Sequence, residues 1–253
     1  MIEIFKKLLL GSFPDNVVKE FIDGTLNEDQ IKVLTESKIP NNLIQWVEFK
    51  DLGPAFSMVG YQRLTNLEQL VLDVVDKNIE GSIIETGVWK GGACMFIKYM
   101  LKKLNSNKRL YVADSFEGLP EPNTIKYPKD LDDIHHTYDF LKITEDDVKN
   151  NFHMFNLLDE NVIFLKGWFS DTLPKVNDVF SIIRLDGDMY ESTMDALVNL
   201  YGKLSLNGYV IIDDFSFFAC ASAVIDFRTK HNITDEIINI DQSSVYWKKT
   251  QNI

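Results

Sequence analysis

The chain has 253 residues, 45% of them hydrophobic, enough to bury a large core as one α/β domain with appendages. Lys and Arg number 26 against 38 Asp and Glu, a formal charge of −12. That excess speaks against nucleic acid or an anionic membrane as the main partner, because phosphate binding needs clustered cations. Cys94 and Cys220 form no Cys-x-x-Cys pairing, so a reducing compartment and two packed thiols are expected instead of a disulfide framework. The first apolar run is too short, and Glu3 too early, for a signal peptide. No apolar stretch of about 20 residues occurs, and a soluble cytoplasmic protein is expected.

Residues 1–55 read as short helices and turns, broken by Pro14, Pro40, Gly53 and Pro54. Asn27-Glu28-Asp29-Gln30 opens a helix, Trp46, Phe49 and Phe56 add aromatics, and no strand alternation is present. The expectation is an N-terminal helical extension over 1–55, followed by a main domain over 56–253. The aromatic-bearing extension leaves room for a homo-oligomer. Arg63–Asn78 carries Leu64, Leu67, Leu70, Val71, Val74 and Val75 in a 3-4 repeat, the pattern of an amphipathic helix packed on a sheet.

Strand and helix patterns then alternate. Ser82-Ile83-Ile84 runs to Glu85, Arg109–Ala113 to Asp114, Val162–Leu165 to Gly167, Phe180–Leu185 to Asp186, and Tyr209–Ile212 to Asp213-Asp214. Helical stretches fall at Ala93–Leu104, Thr144–Leu157, Glu191–Leu204 and Cys220–His231, with Thr144 as a cap. Ile237–Ile240 and Ser244–Trp247 are two late strands across a short turn, expected as an antiparallel hairpin at the sheet edge. Repeated βα units imply a parallel sheet wrapped by helices, with ligands bound beyond the carboxyl ends of the strands. The segment Leu119–Ile143 breaks the rhythm with three prolines, many charges and the His135-His136 pair, and is expected to be a substrate lid.

The first strand ends in Glu85-Thr86-Gly87-Val88-Trp89-Lys90-Gly91-Gly92. This strand–glycine turn–helix unit suits a nucleotide, because glycines admit close backbone approach and the helix start offers unpaired N–H groups. Its spacing, Glu-x-Gly-x-x-x-Gly, is not the Gly-x-Gly-x-x-Gly that cradles a pyrophosphate. A sulfonium nucleoside such as S-adenosylmethionine (SAM) fits it better than a dinucleotide. Asp114 is placed to accept from ribose hydroxyls. The loop Gly167-Trp168-Phe169-Ser170-Asp171 offers an aromatic surface and donors near the adenine.

Asp186-Gly187-Asp188 and Asp213-Asp214 end neighbouring strands. Asp186, Asp213 and Asp214, without Cys or His nearby, suit a hard divalent ion, Mg²⁺. Arg184 and Lys166 are the cations close enough to offset this charge. The four histidines show no metal spacing. His135 and His136 are candidate substrate contacts from the lid, and His153 and His231 read as helix-surface residues.

Residues about 56–249 resemble the macrocin-type (TylF/MycF) sugar O-methyltransferases. The resemblance rests on the Glu85–Gly92 turn, Asp114-Ser115-Phe116-Glu117-Gly118-Leu119-Pro120, Gly167–Pro174, Asp186–Thr193, Asp213-Asp214-Phe215 and Val245-Tyr246-Trp247. It implies SAM and Mg²⁺ dependence and methylation of sugar hydroxyls. It also implies metal ligation by Asp186, Asp213 and Asp214. Cofactor contacts would come from Glu85, Thr86, Gly87, Gly91, Asp114, Ser115, Gly167, Trp168, Phe169, Ser170 and Asp186. Two departures stand out: Ala93-Cys94 replaces a frequent Ser, and Met189 occupies the place of the Lys that catechol-type enzymes use. Residues 1–55 carry none of the runs on which this resemblance rests.

The reading is a class I methyltransferase with a Rossmann-like seven-strand sheet, mostly parallel, and an antiparallel edge hairpin. The reaction is in-line methyl transfer to a hydroxyl of a sugar or glycosylated small molecule. Asp186 is expected as ligand and general base, with Asp188 as second choice. Alternatives are methylation of a non-sugar, catechol-like hydroxyl, an oxidoreductase, or a non-catalytic SAM-binding protein.

Overall fold

The computed structural model describes residues 1–44 and 53–252; Trp46 and Phe49 lie outside the described residues. Seven strands form one sheet: β1 (Ser82–Thr86), β2 (Leu110–Asp114), β3 (Val162–Lys166), β4 (Phe180–Leu185), β5 (Leu204–Ile212), β6 (Ile238–Asn239) and β7 (Val245–Lys248). Their order is β3-β2-β1-β4-β5-β7-β6. The first five in that order run parallel. The late hairpin is antiparallel as expected, and its second strand is the one that joins the sheet, pairing antiparallel with β5.

The helices are α1 (Ile2–Leu9), α2 (Asp15–Asp23), α3 (Glu28–Glu36), α4 (Gly60–Asp76), α5 (Gly92–Lys103), α6 (Glu145–Met154), α7 (Phe169–Thr172), α8 (Tyr190–Leu200) and α9 (Phe218–Lys230). Alternate strand residues point to opposite faces, and the core divides accordingly. Ile83, Val112, Ile182 and Ile211 pack with α1, α4, α5 and α6. Ile84, Ala113, Ile183 and Ile212 pack with α8 and α9. The result is a three-layer sandwich with the sheet in the middle.

Two boundaries shift furthest from the sequence reading. β5 begins at Leu204, five residues early, because Asn207-Gly208 sits in an irregular stretch of strand. The register jumps from Phe180↔Leu204 to Ile182↔Tyr209 there, and Asn207 takes a φ of +67°. The helix read over Glu191–Leu204 correspondingly ends at Leu200 and closes with a 3-10 turn over Tyr201–Lys203.

The N-terminal helices do more than cover the core. Ile4, Phe5, Leu8 and Leu9 are at most 1% exposed, and the Phe5 ring lies 4.5 Å from Tyr99 and 5.3 Å from Phe155. Burying four such side chains contributes roughly 1.5–3 kcal/mol each before entropy is charged. Asn27 and Gln30 form a full capping box on α3, and Thr144 caps α6 by accepting from the Asp147 N–H at 3.2 Å.

The segment 119–143 contains three 3-10 turns, Pro128–Asp130, His135–Thr137 and Asp139–Leu141. It is docked at three places. The Asp130 carboxylate is fully buried and accepts from the Tyr190 and Glu191 N–H groups at 2.6 and 3.0 Å, capping α8. Lys129 pairs with Asp226 on α9 at 2.6 Å, and the Trp89 indole donates to the Phe140 carbonyl at 2.8 Å.

Candidate active site

The sheet order reverses direction between β1 and β4, the switch point where α/β sheets bind ligands. Gly87 sits there with a φ of +82°, and a Cβ on it would lie 1.6 Å from the Asp186 carbonyl oxygen. Only glycine lets the two strand ends approach so closely. Beyond them opens a cavity of about 380 Å³, within the size range of small-molecule sites. Its wall includes Glu85, Gly87, Asp114, Ser115, Gly167, Trp168, Phe169, Ser170, Asp186 and Asp188.

Thr86 and Gly91, expected among the cofactor contacts, are absent from that wall. Thr86 follows Glu85 on the strand and so faces the opposite side of the sheet. A Cβ on Gly91 would meet Val148 at 2.8 Å, so that glycine serves the packing of α6 against the start of α5. The wall also takes in Leu119–Glu121, Asn123 and Leu141 from the 119–143 segment, and Glu191, Ser192 and Asp195 from α8. Leu119, Pro120, Glu191 and Ser192 belong to runs already noted, whereas no motif in the sequence singles out Glu121, Asn123, Leu141 or Asp195.

Asp114 is tightly held. Its carboxylate accepts from the Val88 N–H at 2.7 Å and the Phe116 N–H at 2.8 Å, joining the β1 and β2 turns. Burial pushes its pKa up, against the pull of those amides. The Ser115 hydroxyl also lies 3.4 Å from one of its oxygens. The Ser115 hydroxyl is spent locally, donating to the Gly118 carbonyl at 2.6 Å and accepting from the Glu117 N–H at 3.0 Å.

Register builds the charged centre. Glu85 on β1 lies beside Arg184 on β4, which lies beside Ile211 on β5. Asp186 and Asp213 follow two residues later on the same face. Arg184 is 2% exposed, and its guanidinium donates to Glu85 at 2.5 Å, to Asp186 at 2.9 Å, and to Asp213. Burial opposes its charge, yet Asp213, Glu85 and Asp186 hold its pKa well above the usual arginine value. Lys166, the other expected cation, ends β3 on the far side of the sheet. The Cys94 thiol is buried, as expected, and donates to the second Glu85 oxygen at 2.7 Å. With Arg184 and Cys94 on its two oxygens, Glu85 supports the cavity floor from below.

Asp186, Asp213 and Asp214 present oxygens that all lie within 4.8 Å of one another. Burial first, and then neighbouring carboxylates, push the pKa values of Asp186 and Asp214 well above the ordinary range. Such a set of oxygen donors fits a hard divalent cation, which removes the repulsion that raises them. Asp188, with φ +56°, is fixed through its N–H, which donates to Asp214 at 3.1 Å. Among the described residues its carboxylate makes no hydrogen bond, and burial pushes its pKa up to about 6.

The two lid histidines differ. The His135 ring lies 2.9 Å from Asp133 and 5.8 Å from the Phe217 ring. Its hydrogen bond to Asp133 and the charges of Asp188 and Asp133 raise its pKa against burial. His136 has a buried Nδ1 with no partner among the described residues. Neither belongs to the cavity wall.

A parallel sheet with an antiparallel β7, a nucleoside-sized cavity at its switch point and acids at the strand ends define a class I methyltransferase. The sequence profile of the macrocin O-methyltransferase (TylF) family matches residues 10–249, and the chain belongs to that family. The match extends into the N-terminal helices, where no motif was legible. The chain is 44% identical over 201 residues to demethyldecarbamoylnovobiocin O-methyltransferase of Streptomyces niveus, covering 78% of this chain and 77% of that protein. It is 40% identical over 201 residues to mycinamicin III 3''-O-methyltransferase of Micromonospora griseorubida, covering 78% and 79%. The solved structure of the O-methyltransferase NovP superposes with a TM-score of 0.76 at 43% identity, over 78% of this chain and 83% of that one. The protein is an O-methyltransferase. Among the described residues no helix is long and apolar enough to cross a membrane.

Proposed function

We propose that this enzyme transfers a methyl group from SAM to a hydroxyl of a sugar on a glycosylated small molecule, with a divalent ion at the acceptor. One observation carries the reading: Asp186 belongs both to the wall of the nucleoside-sized cavity and to the three-carboxylate cluster. A methyl donor in the cavity and a hydroxyl at the cluster would therefore meet at one residue. The sugar acceptor is supported by the names of the two relatives, one for demethyldecarbamoylnovobiocin and the other for the 3'' position of mycinamicin III.

In this reading Asp114 accepts from the ribose, the start of α5 receives the methionine carboxylate, and Trp168 and Phe169 flank the base. Asp186, Asp213 and Asp214 would hold Mg²⁺. When bound, such an ion lowers the pKa of a coordinated hydroxyl. Asp188 takes the hydroxyl proton on its carboxylate, which lines the cavity and makes no hydrogen bond among the described residues. This departs from the first expectation, Asp186, whose carboxylate is held by Arg184. Met189 is fully buried, so the lysine base of catechol-type enzymes has no counterpart and the non-sugar alternative gains no support. Positioning of donor and acceptor supplies most of the acceleration.

The test is methyl transfer from labelled SAM to a panel of deoxysugar-bearing natural products, with Mg²⁺ titrated against EDTA. Transfer that needs Mg²⁺ and is lost in Asp188→Asn is the expected outcome. Full activity in EDTA would refute the role of the ion, and an Asp188→Asn enzyme as fast as wild type would refute the base.

A further inference from the structure

Asp213 is gripped from two sides. One carboxylate oxygen accepts from Arg184 and the other from Arg63. Arg63 stands on α4, 150 residues earlier in the chain, and is itself anchored. Its Nε donates to Asp241 at 2.7 Å, and Asp241 in turn accepts from the Ser243 and Ser244 N–H groups at 2.8 Å each. The Ser244 hydroxyl closes the circle by donating to the Ile212 carbonyl, next to Asp213, at 2.9 Å. Arg63 is 7% exposed, and it is not part of the cavity wall.

We propose that Arg63 is a positioning residue of the metal centre, fixing the plane of the Asp213 carboxylate through the β6–β7 turn. The inference rests on the metal reading above. Partners behind a ligand orient it and tune its affinity. A guanidinium suits the task because its planar fork grips two carboxylates at once, which an ammonium does not do with fixed geometry. Charge alone would act in the opposite sense. A nearby cation repels a divalent ion, so loss of Arg63 through charge would tighten metal binding, whereas loss of orientation weakens it.

The experiment measures Mn²⁺ binding to the full chain by electron paramagnetic resonance, and SAM binding by calorimetry, for wild type, Arg63→Lys, Arg63→Met and Asp214→Asn. Arg63→Lys keeps the charge and removes the fork. The expected result is a Mn²⁺ affinity lowered about 10–100-fold in both Arg63 variants, with SAM affinity unchanged. Mn²⁺ binding in Arg63→Lys that is equal to or tighter than wild type overturns the proposal. So does a parallel loss of SAM and Mn²⁺ affinity, which would mark a general structural role. The control separates this failure from failure of the metal reading: if Asp214→Asn binds Mn²⁺ like wild type, both fall, and if only Asp214→Asn loses it, Arg63 alone is refuted.

Discussion

Arg184 offers the sharpest stability test because three carboxylates converge on one fully buried guanidinium. Arg184→Met removes the cation and leaves Glu85 and Asp213, 2% and 4% exposed, without their shared partner, while Asp186 loses one bond. Removing one partner of a buried pair costs about 3–5 kcal/mol, because the remaining charge is left unsolvated. At about 2–4 °C per kcal/mol for a chain of this size, the unfolding midpoint should fall by roughly 6–20 °C. The assay is thermal unfolding in EDTA, followed by circular dichroism, at low and at high salt. A buried network is screened little, so the gap to wild type should persist in high salt. A midpoint within about 2 °C of wild type, or a gap that closes with salt, would refute a buried, shared counter-ion; either is well below what the broken-pair cost predicts.

Other consequences are as direct. Gly87→Ala should abolish SAM binding and destabilise the fold by more than the ~1–3 kcal/mol of backbone strain alone, since its Cβ meets the Asp186 carbonyl; calorimetry and thermal unfolding read both. Phe5→Ala should cost about 3–5 kcal/mol in denaturant unfolding, a loss that a helix merely resting on the surface would not show. Burial raises the Asp114 pKa, so the ionised acceptor is present above that raised value and is lost as pH falls through it. SAM affinity of wild type should therefore begin to drop at a higher pH than an ordinary aspartate would give, and Asp114→Asn should be weaker throughout and flat across that range. Asp130→Ala removes the α8 cap, worth about 0.5–2 kcal/mol, and should speed hydrogen exchange over residues 128–142 roughly 2–30-fold. Unchanged exchange there would mean that the segment does not depend on this anchor.

What the sequence revealed tracks the range over which a residue's neighbours are set by local geometry. Strand ends were legible because apolar runs stop at Asp, Glu or Gly, and parallel pairing then brings Asp186 to Asp213 and Asp214. Thr86 and Gly91 lie off the cavity wall, because a motif names residues without saying which way each one faces. Arg63 and Asp241 left no signal, since the Arg63 contact with Asp213 spans 150 residues and depends on where α4 and the β6–β7 turn come to rest. Lys6 and Lys7 make α1 look amphipathic, yet both are buried, Lys6 on Glu68 at 2.7 Å and Lys7 on the Leu34, Thr35 and Ser37 carbonyls that close α3.

The late entry of β7 has a consequence during synthesis. Tyr209–Ile212 finds its second hydrogen-bonding partner only in Val245–Lys248, more than thirty residues further on. Until that stretch leaves the ribosome, β5 presents an open edge rich in Val and Ile, the kind of surface that pairs with a neighbouring nascent chain. Trp247 has no exposed surface once seated, so its arrival both caps the edge and fills the core beside Tyr201. A chain truncated before Val245 would keep its cofactor-side motifs intact and still aggregate.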